Sequence, residues 1–436
     1  MRTWMRRLLV YWLPCLIVAG GLGALGFVET WPIKQLRLAG LDFLQRTWPL
    51  ELPSGQPTAV VVLDIDEASL ARYGQWPWPR VMLADIVTRA QAAGAQVVAM
   101  DIAFPEPDRI DPDQLARYLG PLPSEVRERL MALPNGDEAF AAALKQGRTV
   151  IGSLGHEHAA ISTSKRHLVA FSGPPARQLI PQLPAIVGSL PMLENAATGV
   201  GVTTLFPGDG VVRCLPQVFG HAGNFYSRLE LEILRVLSGR ASIVVRTNQA
   251  GIQDVFISPQ MNLPTDASGC LWPRYPAHIP IPRISLNRFL EDPAVGAQLK
   301  NRIVLLGVTA AGVRNPWLTP LGSEYAVLAT AWVVEAILRG QVLNRPNTSN
   351  TVEAFLTLIA ALLAAVLVGV LRGRWPLVAG IAAAAAAFGV SAWAFLGYGF
   401  LFDGFVPALA ALGMSAIAPV LWRFSTKPAV NIDAAG

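Results

Sequence analysis

Residues 60–108 read VVVLDIDEASLARYGQWPWPRVMLADIVTRAQAAGAQVVAMDIAFPEPD and decide the fold of the largest part of the chain. The run Ala59–Asp64 is apolar and β-branched, which predicts a strand buried on both faces. Val81–Ala93 carries apolar residues at helical spacing, and Gly94 after it is typical of a helix end. Gln96–Phe104 predicts a second buried strand. This strand–helix–strand order predicts a parallel pair with a crossover connection.

The rest of this domain continues the α/β pattern. Arg302–Val308 predicts another buried strand, and Ala326–Leu338 predicts a helix that leads towards the C-terminal part of the chain. Ala197–Thr204 and Val211–Phe219 predict a hairpin around a glycine-rich turn. We therefore expect an α/β domain with a mainly parallel sheet and peripheral hairpins.

Composition indicates a membrane protein. Of the 436 residues only 15% are charged, against about 25% in soluble domains. Four apolar stretches contain no charge, namely Leu8–Val28, Ala354–Leu371, Leu377–Phe395 and Phe405–Trp422. Stretches of this length can cross the hydrocarbon core of a bilayer, which is roughly 30 Å thick. For the first stretch a cleaved signal peptide is the alternative, because basic residues precede it.

The basic residues near these stretches predict their orientation. They are Arg2, Arg6 and Arg7 before the first stretch, Arg372 and Arg374 after the second, and Arg423 and Lys427 after the fourth. The connection Leu396–Gly404 on the opposite side has only Asp403. We therefore expect residues 1–7 and 423–436 in the cytoplasm and residues 29–350 outside it, with one N-terminal and three C-terminal transmembrane helices around the α/β domain.

The residues quoted above resemble the CHASE domain of the second type, an extracytoplasmic sensory domain of bacterial adenylate cyclases, histidine kinases and serine/threonine kinases. Val60–Asp108 carries the resemblance, and three further blocks support it: Gly208–Pro216 (GDGVVRCLP), Asn301–Thr309 (NRIVLLGVT) and Leu318–Gly322 (LTPLG). The resemblance implies a sensor in the bacterial plasma membrane. It would read an unknown extracytoplasmic ligand and signal as the receptor half of a cyclase or kinase, or through separate partners.

The resemblance also implies a homodimer. No output domain is expected in the residues that follow the last apolar stretch, so we expect no enzymatic activity of the chain as it stands. We expect no cofactor. Nucleic acid is not expected as a partner, because the basic residues do not form one continuous stripe.

Three carboxylates are candidate ligand-binding residues. Asp64, Asp66 and Asp101 lie at or just beyond the ends of predicted parallel strands. Ligands of open α/β sheets bind at this edge, where carboxylates can hold a cation or accept hydrogen bonds. The structural alternative is that Asp66 caps a helix and that Asp64 pairs with Arg80.

The WPWPR segment supplies three further candidates. Trp76 and Trp78 stand between prolines and form a rigid aromatic wall, which can face a ligand or cover the domain core. Arg80 can bind an anion or tie its loop to Asp64 or Asp101.

Cysteine and histidine residues give weaker signals. Cys214 and Cys270 lie in the part expected outside the cytoplasm, where they can pair, but the sequence does not fix their distance. His156, His158 and His167 lie in a predicted loop, and the HxH spacing of the first two can bind a metal. The sequence fixes no carboxylate or third ligand beside them, so no metal site is expected.

A phosphohydrolase is the alternative function. The run VVVLDID resembles the strand and DxD start of haloacid-dehalogenase-type phosphatases, in which Asp64 would be the nucleophile and Asp66 the acid/base beside Mg²⁺. That chemistry also needs a lysine and later acidic residues at strand ends, and Arg302–Val308 ends without them. A transporter is a third alternative, which the absence of ionisable residues from the apolar stretches disfavours.

Overall fold

The computed structural model describes residues 3–27, 31–52, 55–156, 168–174, 177–204, 209–313, 316–371 and 375–426. It forms two compact units. The first, called the helical unit here, comprises Met1–Trp48 and Leu343–Gly436, and the second, called the α/β unit, comprises Pro49–Val342.

The α-helices are α1 (Thr3–Arg7), α2 (Leu13–Phe27), α3 (Trp31–Thr47), α4 (Glu67–Tyr73), α5 (Arg80–Ala92), α6 (Pro112–Leu119), α7 (Ser124–Met131), α8 (Gly136–Lys145), α9 (Pro191–Ala196), α10 (Leu229–Leu237), α11 (Leu286–Glu291), α12 (Ala326–Leu338), α13 (Ser349–Val370), α14 (Trp375–Tyr398) and α15 (Phe405–Thr426). A π-helical segment, Leu8–Trp12, joins α1 to α2, and short 3-10 helices lie at Arg177–Leu179 and Pro293–Leu299.

The strands are β1 (Val60–Ile65), β2 (Val97–Met100), β3 (Thr149–His156), β4 (Leu168–Ser172), β5 (Ala185–Val187), β6 (Gly199–Val202), β7 (Leu215–Pro216), β8 (Val218–His221), β9 (Asn224–Ser227), β10 (Ser242–Asn248), β11 (Gly251–Ser258), β12 (Met261–Pro264), β13 (Cys270–Pro273), β14 (Arg283–Ser285), β15 (Ile303–Val308), β16 (Trp317–Thr319), β17 (Gly322–Glu324) and β18 (Val342–Leu343).

Three helices of the helical unit, α13, α14 and α15, are long and apolar enough to cross a membrane. The N-terminal stretch is a shorter apolar helix, Leu8–Ala24, so the fourth crossing rests on the sequence alone. Small residues let the helices approach closely: a Cβ added to Gly380 of α14 would collide with Ser415 of α15.

The helical unit contains buried charges that the apolar stretches did not suggest. Helix α13 begins before the predicted stretch and therefore includes Glu353, which is buried. Its carboxylate pairs with Arg37 at 3.2 Å and with Arg345 at 2.8 Å. Arg37 also lies 3.6 Å from the Asp403 carboxylate. These four charges sum to zero, which is how proteins tolerate ionised groups away from water.

The α/β unit is built on a sheet with the strand order β14-β1-β15-β2-β3. Every neighbouring pair in this order is parallel, and β6 adds to β3 in the same sense. Strand β15 lies between β1 and β2, so the predicted strand–helix–strand unit is parallel without its strands being neighbours. A mainly parallel α/β sheet is thus confirmed.

Alternation along the central strands divides the core in two. Val60 and Val62 face a cluster that includes residues of α10 and α12, whereas Val61 and Leu63 face a cluster with α5 and α8. Strands β1, β2 and β15 are buried at every position, as expected for parallel strands covered by helices on both faces.

The hairpin predicted for Ala197–Thr204 and Val211–Phe219 is wrong for the residues that the structure describes there. Strand β6 pairs with β3 in parallel, and β8 forms its hairpin with β9. Packing explains the difference. A Cβ on Gly201 would collide with the Leu229 backbone and one on Gly199 with Glu232, so the glycines admit helix α10 directly against β6.

A second sheet, in the order β12-β11-β10-β4, flanks the first. Strands β10, β11 and β12 form an antiparallel meander, and β4 joins β10 in parallel. The apolar residues Ile243, Val245 and Val255 of this sheet belong to the same core cluster as α10 and α12.

Candidate functional site

The carboxyl edge of the central sheet brings together residues from three neighbouring strands. Asp64 of β1 is almost completely buried there. Its Oδ2 accepts hydrogen bonds from Nε and Nη2 of Arg283 at 3.0 and 2.6 Å, and its Oδ1 accepts one from the Thr309 hydroxyl at 2.7 Å. Arg283 begins β14 and Thr309 follows β15, so the strand register alone places the three side chains together.

The electrostatics of this group favour a closed ion pair. Burial, the largest influence, raises the pKa of Asp64, while the hydrogen bonds from Arg283 and Thr309 oppose the rise. At Arg283 burial disfavours the charge, but the bonds to Asp64 outweigh it and raise the pKa of the guanidinium. The outer part of Arg283 is exposed and lies over the Tyr325 ring, 5.2 Å from its centroid. Arg283 is therefore the member of the group that solvent or a ligand reaches.

Asp66 caps helix α4, which confirms its structural interpretation. Its Oδ1 accepts hydrogen bonds from the Ser69 backbone N–H at 2.9 Å, the Ser69 hydroxyl at 2.6 Å and the Ser285 hydroxyl at 3.0 Å. Burial opposes the charge, yet these bonds together hold the pKa of Asp66 below its ordinary value. Asp64 and Asp66 are thus engaged in holding the edge together.

Asp101 follows β2 on the same face of the sheet as Asp64 and is buried. Burial raises the pKa of the nearby, fully buried Glu230, and repulsion from Asp101 adds to the rise, while Arg228 opposes it. Glu230 pairs with Arg228 at 2.8 Å, and the Arg228 guanidinium lies over the Trp317 ring. Sequence reasoning missed this pair, because a charged residue at the start of an amphipathic helix is ordinarily exposed.

Arg80 does not contact Asp64 or Asp101, so the predicted tie is wrong. Its Nε donates to Asp137 Oδ1 at 3.3 Å, and its backbone N–H donates to Asp108 Oδ2 at 2.6 Å. Its guanidinium lies 4.5 Å from the centroid of the Phe104 ring. Because Arg80 starts α5, its side chain reaches the loop after β2 and the start of α8, whereas Asp64 points to the opposite face of the sheet.

The two tryptophans cover the core. Trp78 is 2% exposed, belongs to the α5–α8 cluster and donates its indole N–H to the Gly74 carbonyl at 2.8 Å. Trp76 is partly buried and meets Trp78 edge-on, with ring centroids 5.9 Å apart. The structural interpretation therefore fits Trp78, while Trp76 stays partly open to solvent.

A pocket of about 350 Å³ lies next to Arg80. It is lined by Pro107, Asp111, Asp113, Gln114, Arg117, Asn135, Asp137, Glu138, Leu190, Pro191 and Met192. Its acidic residues outnumber its one arginine. The buried Asp111 closes one wall by accepting a hydrogen bond from the Gly136 backbone N–H, the start of α8, at 2.6 Å. Burial raises the pKa of the neighbouring Asp137.

Cys214 and Cys270 form a disulfide, which settles the pairing that the sequence left open. Asp266 lies beside the two sulfur atoms, but its Oδ1 accepts hydrogen bonds from the Ser268 and Cys270 backbone N–H groups. Since both sulfurs are bonded to each other, this cluster is not a metal centre. His156 ends β3, and His158 and His167 lie outside the described residues.

A family model described as the CHASE2 domain matches residues 15–371. No curated protein and no solved structure matches the chain.

Proposed function

The chain belongs to the CHASE2 domain family, a family of extracellular sensory domains, and from this premise we propose that it is a membrane receptor which reads an extracytoplasmic signal and passes it across the membrane. Three apolar helices in the helical unit support the membrane part of the proposal. The disulfide of the α/β unit supports its extracytoplasmic side, because disulfides persist in oxidising compartments.

The proposed orientation keeps both termini in the cytoplasm, with Leu8–Ala24 as a first crossing and α13, α14 and α15 as the other three. The host membrane is then a bacterial plasma membrane. The output is a cyclase or kinase, carried on the same polypeptide or on a separate partner. Both statements extend the family resemblance to this chain.

The ligand acts, in this proposal, at the carboxyl edge of the central sheet. Open α/β sheets bind ligands there, and this edge carries the half-exposed Arg283. A second candidate surface is the acidic pocket lined by Asp111 and Asp137, which lie after β2 in the chain. Arg80 contacts Asp137 of the pocket, and Asp101 follows β2 at the carboxyl edge. Asp64 and Asp66 hold that edge together, while Trp76 and Trp78 cover the core beside α5.

The contacts of helix α12 with the central sheet support the proposal that a signal passes from the sheet to the membrane helices. The sheet contacts α12 at both of its ends. At its start, Val327 presses against Gly307 of β15, where a Cβ would collide with it. At its other end, Glu335 accepts hydrogen bonds from the backbone N–H groups of Ala59 and Val60 at 2.8 and 3.0 Å.

The chain continues from α12 through β18 to α13, the first of the three long apolar helices. A ligand that favours one arrangement of the carboxyl edge therefore shifts the population of α12 positions, and with it the segment that enters α13. Along the chain, one helix and a short connection link the edge to α13.

Hydrogen exchange of the full chain in lipid nanodiscs tests this coupling. We compare the natural chain with Asp64→Asn and with the milder Thr309→Val, both of which remove a bond of the edge group. We expect faster exchange in β1, β14 and α12, and a change that continues into the first turns of α13. Arg72→Gln, which breaks the exposed pair with Glu291 in the same unit, is the control.

A change confined to the strands around residue 64, with α12 and α13 identical to the natural chain, would contradict the coupling. In the control variant Arg72→Gln, hydrogen exchange in α12 and α13 should equal that of the natural chain, because Arg72 lies on α4 and is well exposed.

A further inference from the structure

The pocket between α6 and α8 contains a buried carboxylate with an unused oxygen. Asp111 is only 4% exposed and is one of the residues that line the pocket. Its Oδ1 accepts a hydrogen bond from the Gly136 backbone N–H at 2.6 Å. Among the residues that the structure describes, none donates a hydrogen bond to its Oδ2. Because buried polar atoms ordinarily have a hydrogen-bond partner, this oxygen is suited to a donor that a ligand brings into the pocket.

The position of Asp111 in the chain makes this oxygen unusual. Asp111 directly precedes α6, where an aspartate ordinarily caps the helix by accepting a hydrogen bond from one of its first backbone N–H groups. Asp66 does so at α4, but the side chain of Asp111 caps nothing. Proteins depart from such local preferences mainly at functional sites. The carboxylate of Asp111 is therefore placed for the pocket and not for the helix that follows it.

The buried charges around the pocket are unbalanced. Three buried aspartates, Asp108, Asp111 and Asp137, accompany one buried arginine, Arg80. They converge at Gly136, where an added Cβ would lie 2.8 Å from Asp108 Oδ2 and 3.0 Å from Asp111 Oδ1. Burial raises the pKa of Asp137, and repulsion from Asp111 and Asp108 adds to the rise, while a backbone hydrogen bond from Asp108 and the charge of Arg80 oppose it. A positive charge in the pocket would stabilise the ionised carboxylates.

The lining residues determine which kind of cation fits. In the described part of the chain, no three carboxylates here bring their oxygens within 4.8 Å of one another, as a divalent metal ion would need. None of the described lining residues is aromatic, so a quaternary ammonium group finds no aromatic cage. Carboxylate oxygens accept the N–H hydrogen bonds of a protonated amine. Leu190 and Met192 add apolar surface for a carbon chain, and a volume of about 350 Å³ is typical of small-molecule sites.

We propose that the pocket binds a small aliphatic amine, with Asp111 and Asp137 holding the protonated nitrogen and Leu190 and Met192 contacting the carbon chain. This inference rests on the proposed function and deepens it, because it names the ligand class of the second candidate surface. Its test measures binding directly, without a readout of signalling. Binding can therefore fail while the central sheet is still coupled to α13, and the coupling can fail while the amine binds.

Isothermal titration calorimetry of the full chain in a neutral detergent tests the site, with putrescine, a short aliphatic diamine, as the probe. We expect saturable binding to the natural chain and none of butanediol, which has the same carbon chain without the charge. Asp111→Asn should weaken putrescine binding about tenfold, because asparagine keeps an acceptor for the Gly136 N–H but loses the charge and one acceptor oxygen. Asp85→Asn makes the same change at an exposed position of α5 outside the pocket and should leave the affinity unaltered.

A second variant keeps the proposal testable if Asp111→Asn does not fold, which thermal unfolding without ligand shows. Glu138 lines the pocket and is exposed, so Glu138→Gln should leave the fold intact. It should weaken putrescine binding by about threefold, a smaller effect than that of Asp111→Asn, because solvent screens an exposed charge.

Four results would overturn the proposal. Putrescine could show no saturable binding to the natural chain. It could bind the folded variants Asp111→Asn and Glu138→Gln as tightly as the natural chain, which would place its site elsewhere. Tetramethylammonium could bind as tightly as putrescine, which would show that N–H donors are not recognised. Calcium could bind where putrescine does not and lose affinity in Asp111→Asn, which would make the pocket a metal site.

Discussion

The central sheet buries its apolar side chains, whereas the segment formed by α6 and α7, called the α6–α7 hairpin here, exposes several of them. Strands β1 and β15 bury every side chain between two helical layers, whereas α7 buries none. Burial in the first region contributes to folding, while exposure in the second leaves apolar surface available for a partner. The difference separates residues that hold the α/β unit together from residues that the fold leaves exposed.

The two regions meet at the acidic pocket. Asp137 of α8, a helix packed in the core, lines the pocket on the sheet side, and Arg117 of α6 lines it from the hairpin side. The pocket is thus bounded by one wall that the core fixes and one wall that the core does not. This asymmetry suits a site whose occupancy changes the position of a surface element.

The largest effect is expected in the sheet. Leu305→Ala removes a side chain that is 1% exposed in the middle of β15 and should lower the free energy of unfolding by about 2–5 kcal/mol, through lost burial and the cavity left behind. Thermal unfolding of the purified chain in detergent measures the loss. A midpoint equal to that of the natural chain would show that the sheet does not determine stability.

The disulfide should come next. Cys214 and Cys270 are 56 residues apart in the sequence, and replacing both with serine should cost about 2–4 kcal/mol, because the unfolded chain is then less constrained. The same unfolding experiment, with and without a reductant, gives the comparison. A natural chain that loses nothing on reduction would contradict this expectation.

The cap of α4 gives a smaller and pH-dependent effect. Asp66→Ala should cost about 1 kcal/mol at pH 7, since Ser69 loses its acceptor. Because the folded-state pKa of Asp66 lies below its ordinary value, the contribution of the charge is complete above that ordinary value and is lost as the pH falls through the folded-state pKa. The difference in the free energy of unfolding between the natural chain and Asp66→Ala should therefore become smaller below about pH 4.

Asp66→Asn serves as the matched variant, because asparagine also caps helices. It should retain most of the stability at pH 7 and lose the acid dependence that the carboxylate supplies. If the loss of unfolding free energy in Asp66→Ala were the same from pH 7 to pH 3, the role of the Asp66 charge would be contradicted.

The smallest effect on stability is expected in the hairpin. Tyr118→Ser should change the free energy of unfolding of the isolated copy by no more than about 0.5 kcal/mol, because the side chain is largely exposed. Unfolding is measured at concentrations where the protein is monomeric. A loss comparable to that of Leu305→Ala would remove the contrast between the two regions.

Much of the α/β unit was predictable because its strands are buried on both faces. The continuous apolar runs of β1 and β15 have no polar alternation, and α12 was predicted with the bounds it has. The helix cap at Asp66 was also predicted correctly, because it depends on a hydrogen bond between a side chain and a backbone N–H only three residues away. Local patterns suffice where local contacts dominate.

Long-range partners were not predictable. Asp64 pairs with Arg283 and not with Arg80, because the register of β14 against β1 decides which charge is near, and no local signal encodes that register. Strand β6 was assigned to a hairpin because of the turn signal at Gly208–Gly210, whereas its own glycines, Gly199 and Gly201, allow the close approach of α10 and β6 pairs with β3. The buried Arg228–Glu230 pair likewise depends on tertiary packing.

The location of the α/β unit is the central claim, and thiol labelling of intact cells tests it most directly. A membrane-impermeant maleimide is added before and after an impermeant reductant. We predict no label on the untreated chain and a label at Cys214 after reduction, because Cys214 is partly exposed, whereas Cys270 and Cys15 are buried. Labelling that appears only after the cells are lysed would place the unit in the cytoplasm and contradict the receptor proposal.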